Sequence, residues 1–307
     1  MSSPRLSNWI LLCSLAATGL AVTACGGESD PIEPPGALPA ETILAAGNIA
    51  TCGTTNDEAT AGLLDTLSGT VFTLGDNAFP DGTLEEYTTC YEPSWGRHKS
   101  RTYAALGNHE YNSGTAAPSF NYFGSRIGPR DRGYYSVELG NWHIIVLNVN
   151  DATVNESTPF EGSAQDEWLK ADLAANSKAC TLAIWHNPRF FSSNTAGWNS
   201  NAFVTTVWRR LYDAGVDLVL NGHQHHFERF PPMTPTGSLD EASGIRAFNV
   251  GTGGESTEPM IAIAQHSAAR SDAFGILKLT LDAGSYTWEF VPTAAGQFSD
   301  SGVASCH

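Results

Sequence analysis

His223 and His225 stand two residues apart in the stretch Asn221-Gly222-His223-Gln224-His225-His226, directly after the apolar run 216–220. Side chains two apart on extended backbone point the same way, so two imidazoles can be presented to one place. Imidazole is the commonest protein metal ligand, although a lone His-x-His is more often a solvated polar loop. The arrangement recurs, however. Gly47 precedes Asn48, Gly75 precedes Asp76, Gly107 precedes Asn108, and His186 closes the run 181–185. Five strand ends would thus deliver Asn48, Asp76, Asn108, His186 and the pair His223 and His225. Convergence of these in one crevice gives a mixed oxygen and imidazole donor set, suited to manganese, zinc or iron rather than calcium. A carboxylate shared by two ions about 3.5–4 Å apart serves in-line displacement at phosphorus. Asp76 is the candidate bridge.

The elements needed to position these residues are legible as short apolar runs. Residues 42–46, 70–74, 103–106, 142–149, 181–185, 216–220 and 246–250 have the length and composition of buried strands. Helices are predicted over 58–67, with Asn56 or Asp57 as cap, over 164–175, with Ser163 as cap, and over 203–212. Strands alternating with helices predict an α/β domain. Residues 133–138 and 142–149 read as a hairpin-like pair, and 275–281 and 285–291 as closing strands before a polar tail to Cys306. Gly251-Thr252-Gly253-Gly254 reads as a loop, or as a turn whose backbone approaches a bound anion. The basic run Arg97, His98, Lys99 and Arg101 is either a solvated helix face or a patch that attracts anionic substrate. Arg189 reads as an anion contact or as half of a surface salt bridge.

The chain has 307 residues, 41% of them hydrophobic, enough for one large domain with a substantial core. Its 32 acidic against 16 basic residues give a formal charge of -16, which argues against a nucleic-acid or anionic-membrane surface. Arg5 followed by the apolar run 9–22 has the layout of an export signal. Val22-Thr23-Ala24-Cys25 resembles the bacterial lipoprotein cleavage box, which implies a signal peptide over 1–24 and lipidation of Cys25 at the outer membrane or cell surface. Simple secretion is the alternative. Residues 25–40 read as a tether and 41–307 as the folded domain. Cys52, Cys90, Cys180 and Cys306 then remain for two disulfides, with three pairings open and Cys52–Cys90 with Cys180–Cys306 preferred.

The ordered blocks Gly47-Asn48, Gly75-Asp76-Asn77-Ala78-Phe79, Gly107-Asn108-His109-Glu110, His186 and Gly222-His223-Gln224-His225 resemble the calcineurin-like metallophosphoesterase superfamily. There the blocks are Gly-Asp, Gly-Asp-x-x-Tyr, Gly-Asn-His-Glu/Asp, a lone His and Gly-His-x-His. His226-Phe227-Glu228-Arg229 and the run from Gln165 to Trp168-Leu169 resemble the purple acid phosphatase branch. The resemblance implies a four-layer α/β/β/α sandwich with two mixed β-sheets. It implies a phosphomonoesterase, with diesterase activity also open, that uses hydroxide generated on metal to attack phosphorus. One ion would be held by Asp76, Asn108, His186 and His223, and another by Asp76, His225 and the residue at 48. Asn108 and His109 would contact the phosphate, with His109 protonating the leaving oxygen.

Two positions depart from that pattern. Asn48 stands where the family has Asp, and Phe79 where the purple enzymes have Tyr. The second ion position thus lacks two anionic donors, which disfavours ferric iron and removes the tyrosinate colour. One or two ions per chain are expected. A degenerate lipoprotein of the same fold with a binding role is the alternative function. The loops 80–101 and 189–201 are the candidates for substrate specificity.

Overall fold

The computed structural model describes residues 38–155 and 157–307. The expected export signal, Cys25 and most of the tether lie outside the described residues. In chain order the strands are β1 (Glu41–Ala46), β2 (Ala50–Thr51), β3 (Thr70–Leu74), β4 (Ala78–Phe79), β5 (Thr102–Ala105), β6 (Tyr135–Leu139), β7 (Trp142–Val146), β8 (Cys180–Ile184), β9 (Leu218–Asn221), β10 (Phe227–Met233), β11 (Ile245–Val250), β12 (Ala269–Ser271), β13 (Gly275–Leu281), β14 (Ser285–Pro292) and β15 (Ser301–Ser305). Six of them form one sheet in the order β15-β14-β13-β1-β3-β5. Seven form a second in the order β12-β10-β11-β9-β8-β7-β6, and β2 pairs with β4 alone. Both large sheets are mixed. β1, β3 and β5 run parallel while β13 is antiparallel to β1, and β7, β8, β9 and β11 run parallel with β6 and β10 antiparallel at either side.

Alternation along the buried strands sorts side chains into layers. Leu182 and Ile184 of β8 join Ile43, Ala45 and Phe248 in the core shared by the two sheets, whereas Ala183 and Trp185 join Leu169, Trp208 and Leu211 on the far side. Those last residues come from helices Ala164–Ala175 and Thr205–Asp213, which cover the second sheet. Helix Asn56–Thr66 sets Ala61 and Leu64 into the core of the first sheet. The result is the α/β architecture of two mixed sheets with helices outside.

Local readings differ from this in a few places. The first helix begins at Asn56 behind Thr55, so neither Asn56 nor Asp57 is its cap, and Asp57 is buried in the first turn. Ser163 does cap its helix, accepting from Asp166 N. The polar tail is strand β15, paired antiparallel with β14. β10 was hidden by Pro231 and Pro232, which cannot donate to a ladder. They fall where its pairing with β11 shifts register between Phe230 and Met233. The basic run is structural rather than an anion patch. Arg97 binds Asp65 and Glu58, Arg101 donates to the carbonyls of Leu64, Leu67 and Gly69 at the end of the first helix, and Lys99 lies over Tyr122. The glycine-rich turn 251–254 is packed as well, with Gly253 N donating to Gly47 O at 2.9 Å.

Disulfides Cys52–Cys90 and Cys180–Cys306 close separations of 38 and 126 residues. The second ties the start of β8 to the end of β15 and, in the chain-entropy account, removes about 5 kcal/mol of freedom from the unfolded chain.

His143 on β7 is buried between two carboxylates, with Nδ1 2.7 Å from Glu138 Oε1 and Nε2 2.8 Å from Asp172 Oδ2. Burial opposes its charge, but the hydrogen bonds from Asp172 and then Glu138 outweigh it and hold the pKa above the ordinary 6.5. A raised folded-state pKa stabilises fully below the unfolded value, and this contribution is lost as pH rises through the folded value. Urea unfolding of the wild type and of His143→Gln should therefore show a wild-type advantage near pH 6 that shrinks above about pH 7. An advantage that grows with pH would refute this assignment.

Candidate metal centre

Because β1, β3 and β5 are parallel neighbours, their carboxyl ends lie side by side, and the same holds for β8 and β9 in the other sheet. Ligand crevices form at such ends in α/β folds. The glycines at these ends make the approach possible. A Cβ on Gly75, at φ +86°, would fall 2.5 Å from His186 Nδ1 and 2.8 Å from Gly107 N, and one on Gly107 would collide with the Asp76 carboxylate.

The residues that follow three of the glycines are strained. Asn48, Asp76 and His223 have φ of 56°, 53° and 66°, a left-handed conformation that costs a non-glycine residue on the order of 1 kcal/mol or more. Each is held by its own N–H. Asn48 N donates to Gly75 O at 3.1 Å, Asp76 N to Glu110 Oε2 at 3.0 Å, and His223 N to Asn48 Oδ1 at 2.9 Å. Glu110 does more than this. Its buried carboxylate also accepts from Asn77 N at 2.7 Å, Gly107 N at 2.6 Å and Tyr87 Oη at 3.2 Å.

On that frame four candidate ligand atoms face one another. Asp76 Oδ2 lies 3.0 Å from His186 Nε2, and His186 Nε2 lies 3.3 Å from His223 Nδ1. Asn108 Oδ1 is 3.2 Å from the same His223 nitrogen. His186 Nδ1 donates to Leu74 O at 2.8 Å, which fixes the ring and aims Nε2 inward. Burial opposes the Asp76 charge, yet His186 holds the carboxyl at about 2. Burial and then the His186 charge push His223 down to about 3, so it is a neutral donor. Burial also works against charge on His186, but Asp76 outweighs it and raises the pKa. A proton between His186 and Asp76 thus stands where a divalent cation would, and ligand sets of this kind exchange the one for the other. Two imidazoles, one carboxylate and one amide oxygen fit a zinc, manganese or ferrous ion.

The centre floors a cavity of about 200 Å³ lined by Asp76, His109, His223, Gln224 and His225 on one side and Asn194, Trp198 and Glu258 on the other. His109 N donates to Asp76 Oδ1, and its Nδ1 donates to Pro80 O at 2.6 Å, leaving Nε2 free. Trp198 is 41% exposed at the mouth.

Of the residues singled out by sequence, Asp76, Asn108, His186 and His223 come together and His109 stands beside them. Asn48 turns its oxygen to the backbone of His223, and His225 lines the same cavity. The Asn48 oxygen accepts from His223 N, and its buried Nδ2, a donor, has no partner among the described residues. His225 lines the cavity, and its Nδ1 is held 2.7 Å from Ser256 Oγ and 3.0 Å from Glu255 Oε2, as a carboxylate holds the second nitrogen of a ligating imidazole. Phe79 packs on His109 with ring centroids 4.3 Å apart and edge-on to His225. Arg189 is not at this cavity and lines another. Sequence reasoning gave Glu110 no role, although it sits inside the Gly-Asn-His-Glu block. It also passed over Glu255, Ser256 and Glu258, which no motif marks.

This arrangement of strand ends and donors is that of a metallophosphoesterase. The chain belongs to the Calcineurin-like phosphoesterase family, matching it over residues 53–227. Among its relatives, purple acid phosphatase 15 of Arabidopsis thaliana is 30% identical over 173 residues, 50% of this chain and 30% of that protein. Purple acid phosphatase 18 of the same plant is 28% identical over 247 residues, 75% of this chain and 54% of that protein. The chain thus spans about half or less of the curated relatives it matches. In fold it is similar to a purple acid phosphatase from yellow lupin (Lupinus luteus) seeds, with a TM-score of 0.72 at 19% identity, over 89% of this chain and 55% of the other.

Glu110→Gln would turn an amide donor toward N–H groups that need an acceptor. It should cost about 3 kcal/mol in urea unfolding and lower the metal content of purified protein. A variant as stable and as metal-rich as wild type would show that Glu110 does not organise the site.

Proposed function

We propose that this protein hydrolyses phosphate esters around one tightly held divalent ion. The observation that carries the reading is the convergence of Asp76 Oδ2, His186 Nε2, His223 Nδ1 and Asn108 Oδ1 on the floor of an open cavity. Those four residues would hold the ion, which supplies Lewis acidity and lowers the pKa of water. His109, its Nδ1 fixed on Pro80 O, offers Nε2 to a phosphoryl oxygen or to the leaving group. No Lys or Arg is among the lining residues, while Asp76 and Glu258 are. The phosphoryl charge therefore falls to the ion and the histidines, which favours substrates without further negative groups. Trp198 gives the leaving group an apolar face.

The test is turnover of an aryl phosphate and of a bis-aryl phosphate by protein stripped of metal and reloaded with manganese, zinc or ferrous iron. Activity should return with metal and fall roughly a hundredfold or more in His223→Ala and in His109→Ala. Absence of turnover with every metal, in folded protein, would leave the second reading, a binding protein of the same fold. That reading is favoured by Asn48 and Phe79, which stand where the family has two anionic donors. Asn48→Asp keeps the acceptor for His223 N and adds an anionic donor. In the one-ion reading it raises bound metal above one per chain, and a wild type already holding two would contradict that reading.

Export to the cell envelope is part of the same proposal. Two disulfides suit an oxidising compartment. Cys25→Ser should shift the protein from the detergent phase to the aqueous phase on detergent partitioning. An unchanged distribution would discard the lipid anchor.

A further inference from the structure

The segment 189–201 serves two cavities. Its base is closed by Asn201 N donating to Arg189 O at 3.0 Å and by an antiparallel bridge between Phe190 and Ser200. Toward the metal centre it presents Asn194 and Trp198. At the base, Arg189, Asn199 and Ser200 line a separate cavity of about 200 Å³ together with Thr236 and Gln265, and no acidic residue lines it. The two cavities have no lining residue in common.

Arg189 is unlike other arginines of this acidic chain. Arg97 binds Asp65 and Glu58, Arg210 binds Asp166, and Arg229 binds Asp300. Among the described residues, the buried Nε and Nη1 of Arg189 have no hydrogen-bond partner. The guanidinium carbon lies 4.5 Å from the centre of the Phe190 ring. Burial pulls its pKa below the ordinary guanidinium value with no carboxylate to offset it, yet a guanidinium does not give up its proton in a protein. Arg189 is half-buried, packed on Phe190 and unpaired with any carboxylate among the described residues, and an arginine so placed at a cavity is suited to the oxygens of an anion.

We propose that Arg189, with Asn199, Ser200, Thr236 and Gln265, forms a second binding site for a small tetrahedral oxyanion, either free phosphate or the phosphoryl group of a larger molecule. The site is independent of the metal centre and sits at the root of the loop that carries Trp198.

Equilibrium dialysis of labelled inorganic phosphate against the full chain tests this. His223→Ala, which disturbs the metal centre, should retain one bound phosphate, and Arg189→Met added to it should weaken that binding roughly tenfold or more. Competition by glycerol phosphate in His223→Ala would mark a phosphoryl group as the ligand, and its failure to compete would mark free phosphate. In phosphate-free and sulfate-free buffer, Arg189→Met alone should melt above wild type, because two buried N–H groups without partners give way to an apolar chain of similar length. Phosphate binding unchanged by Arg189→Met, or no phosphate held by folded His223→Ala, would overturn the proposal. A lower melting temperature for Arg189→Met in that buffer would also overturn it, since the guanidinium would then be compensated by the fold itself.

Discussion

Glu110 accepts backbone N–H groups from Asp76 and Asn77 after β3 and from Gly107 after β5, and the metal centre depends on that one buried carboxylate. A charge in such a place is tolerable only when its lone pairs are filled. Here the donors that fill them are the two turns that carry Asp76 and Asn108. The same bonds that solvate the carboxylate therefore set the spacing of the ligands. They also explain why Asp76 keeps a left-handed backbone. Its N–H gains a charged acceptor, and its Oδ1 caps His109 N at 3.0 Å.

The ligand set is divided between the sheets. Asp76 and Asn108 follow strands of the first, whereas His186 and His223 follow strands of the second. Hydrogen bonds cross between them at the site, among them His186 Nδ1 to Leu74 O and His223 N to Asn48 Oδ1. Packing of the sandwich and geometry of the site are thus one problem. A shift of one sheet over the other would separate the imidazoles from the carboxylate, so the shared core of Leu182, Ile184, Ile43 and Phe248 is also what holds the donors in register.

Much of this was legible in the sequence because glycine followed by a polar residue after an apolar run has few physical meanings. The central strands are buried on both faces, and their ends are readable within one or two residues except at β7, where the apolar run 142–149 outlasts the strand by three residues because Leu147 and Val149 stay buried beyond it. The metal-ligating residues announced themselves by type. The outer strands were not legible. β10 carries two prolines at a bulge, and β15 has an alternating pattern that is half exposed, with Val303 70% accessible. The far wall of the cavity was hidden for another reason. Asn194, Trp198 and Glu258 reach it through loop geometry, and loops carry no periodicity from which direction can be read. Arg189 shows the same limit, since proximity in sequence to His186 did not bring it to the same cavity.

The two departures from the family pattern, Asn48 and Phe79, are tied into the fold by packing and hydrogen bonds. Phenylalanine at 79 removes a donor, but its ring packs on His109 and against the edge of His225. His225 stands beside that apolar face with its Nδ1 held by Glu255 and Ser256. Burial works against the Glu255 charge, but the hydrogen bond from His225 is the larger influence and keeps the carboxyl below its ordinary range. Asn48, neutral where the family has a carboxylate, spends its oxygen on the strained amide of His223 and so supports the backbone that carries that imidazole. Its buried Nδ2 is left without a hydrogen-bond partner among the described residues, a cost that a carboxylate at this position would not carry.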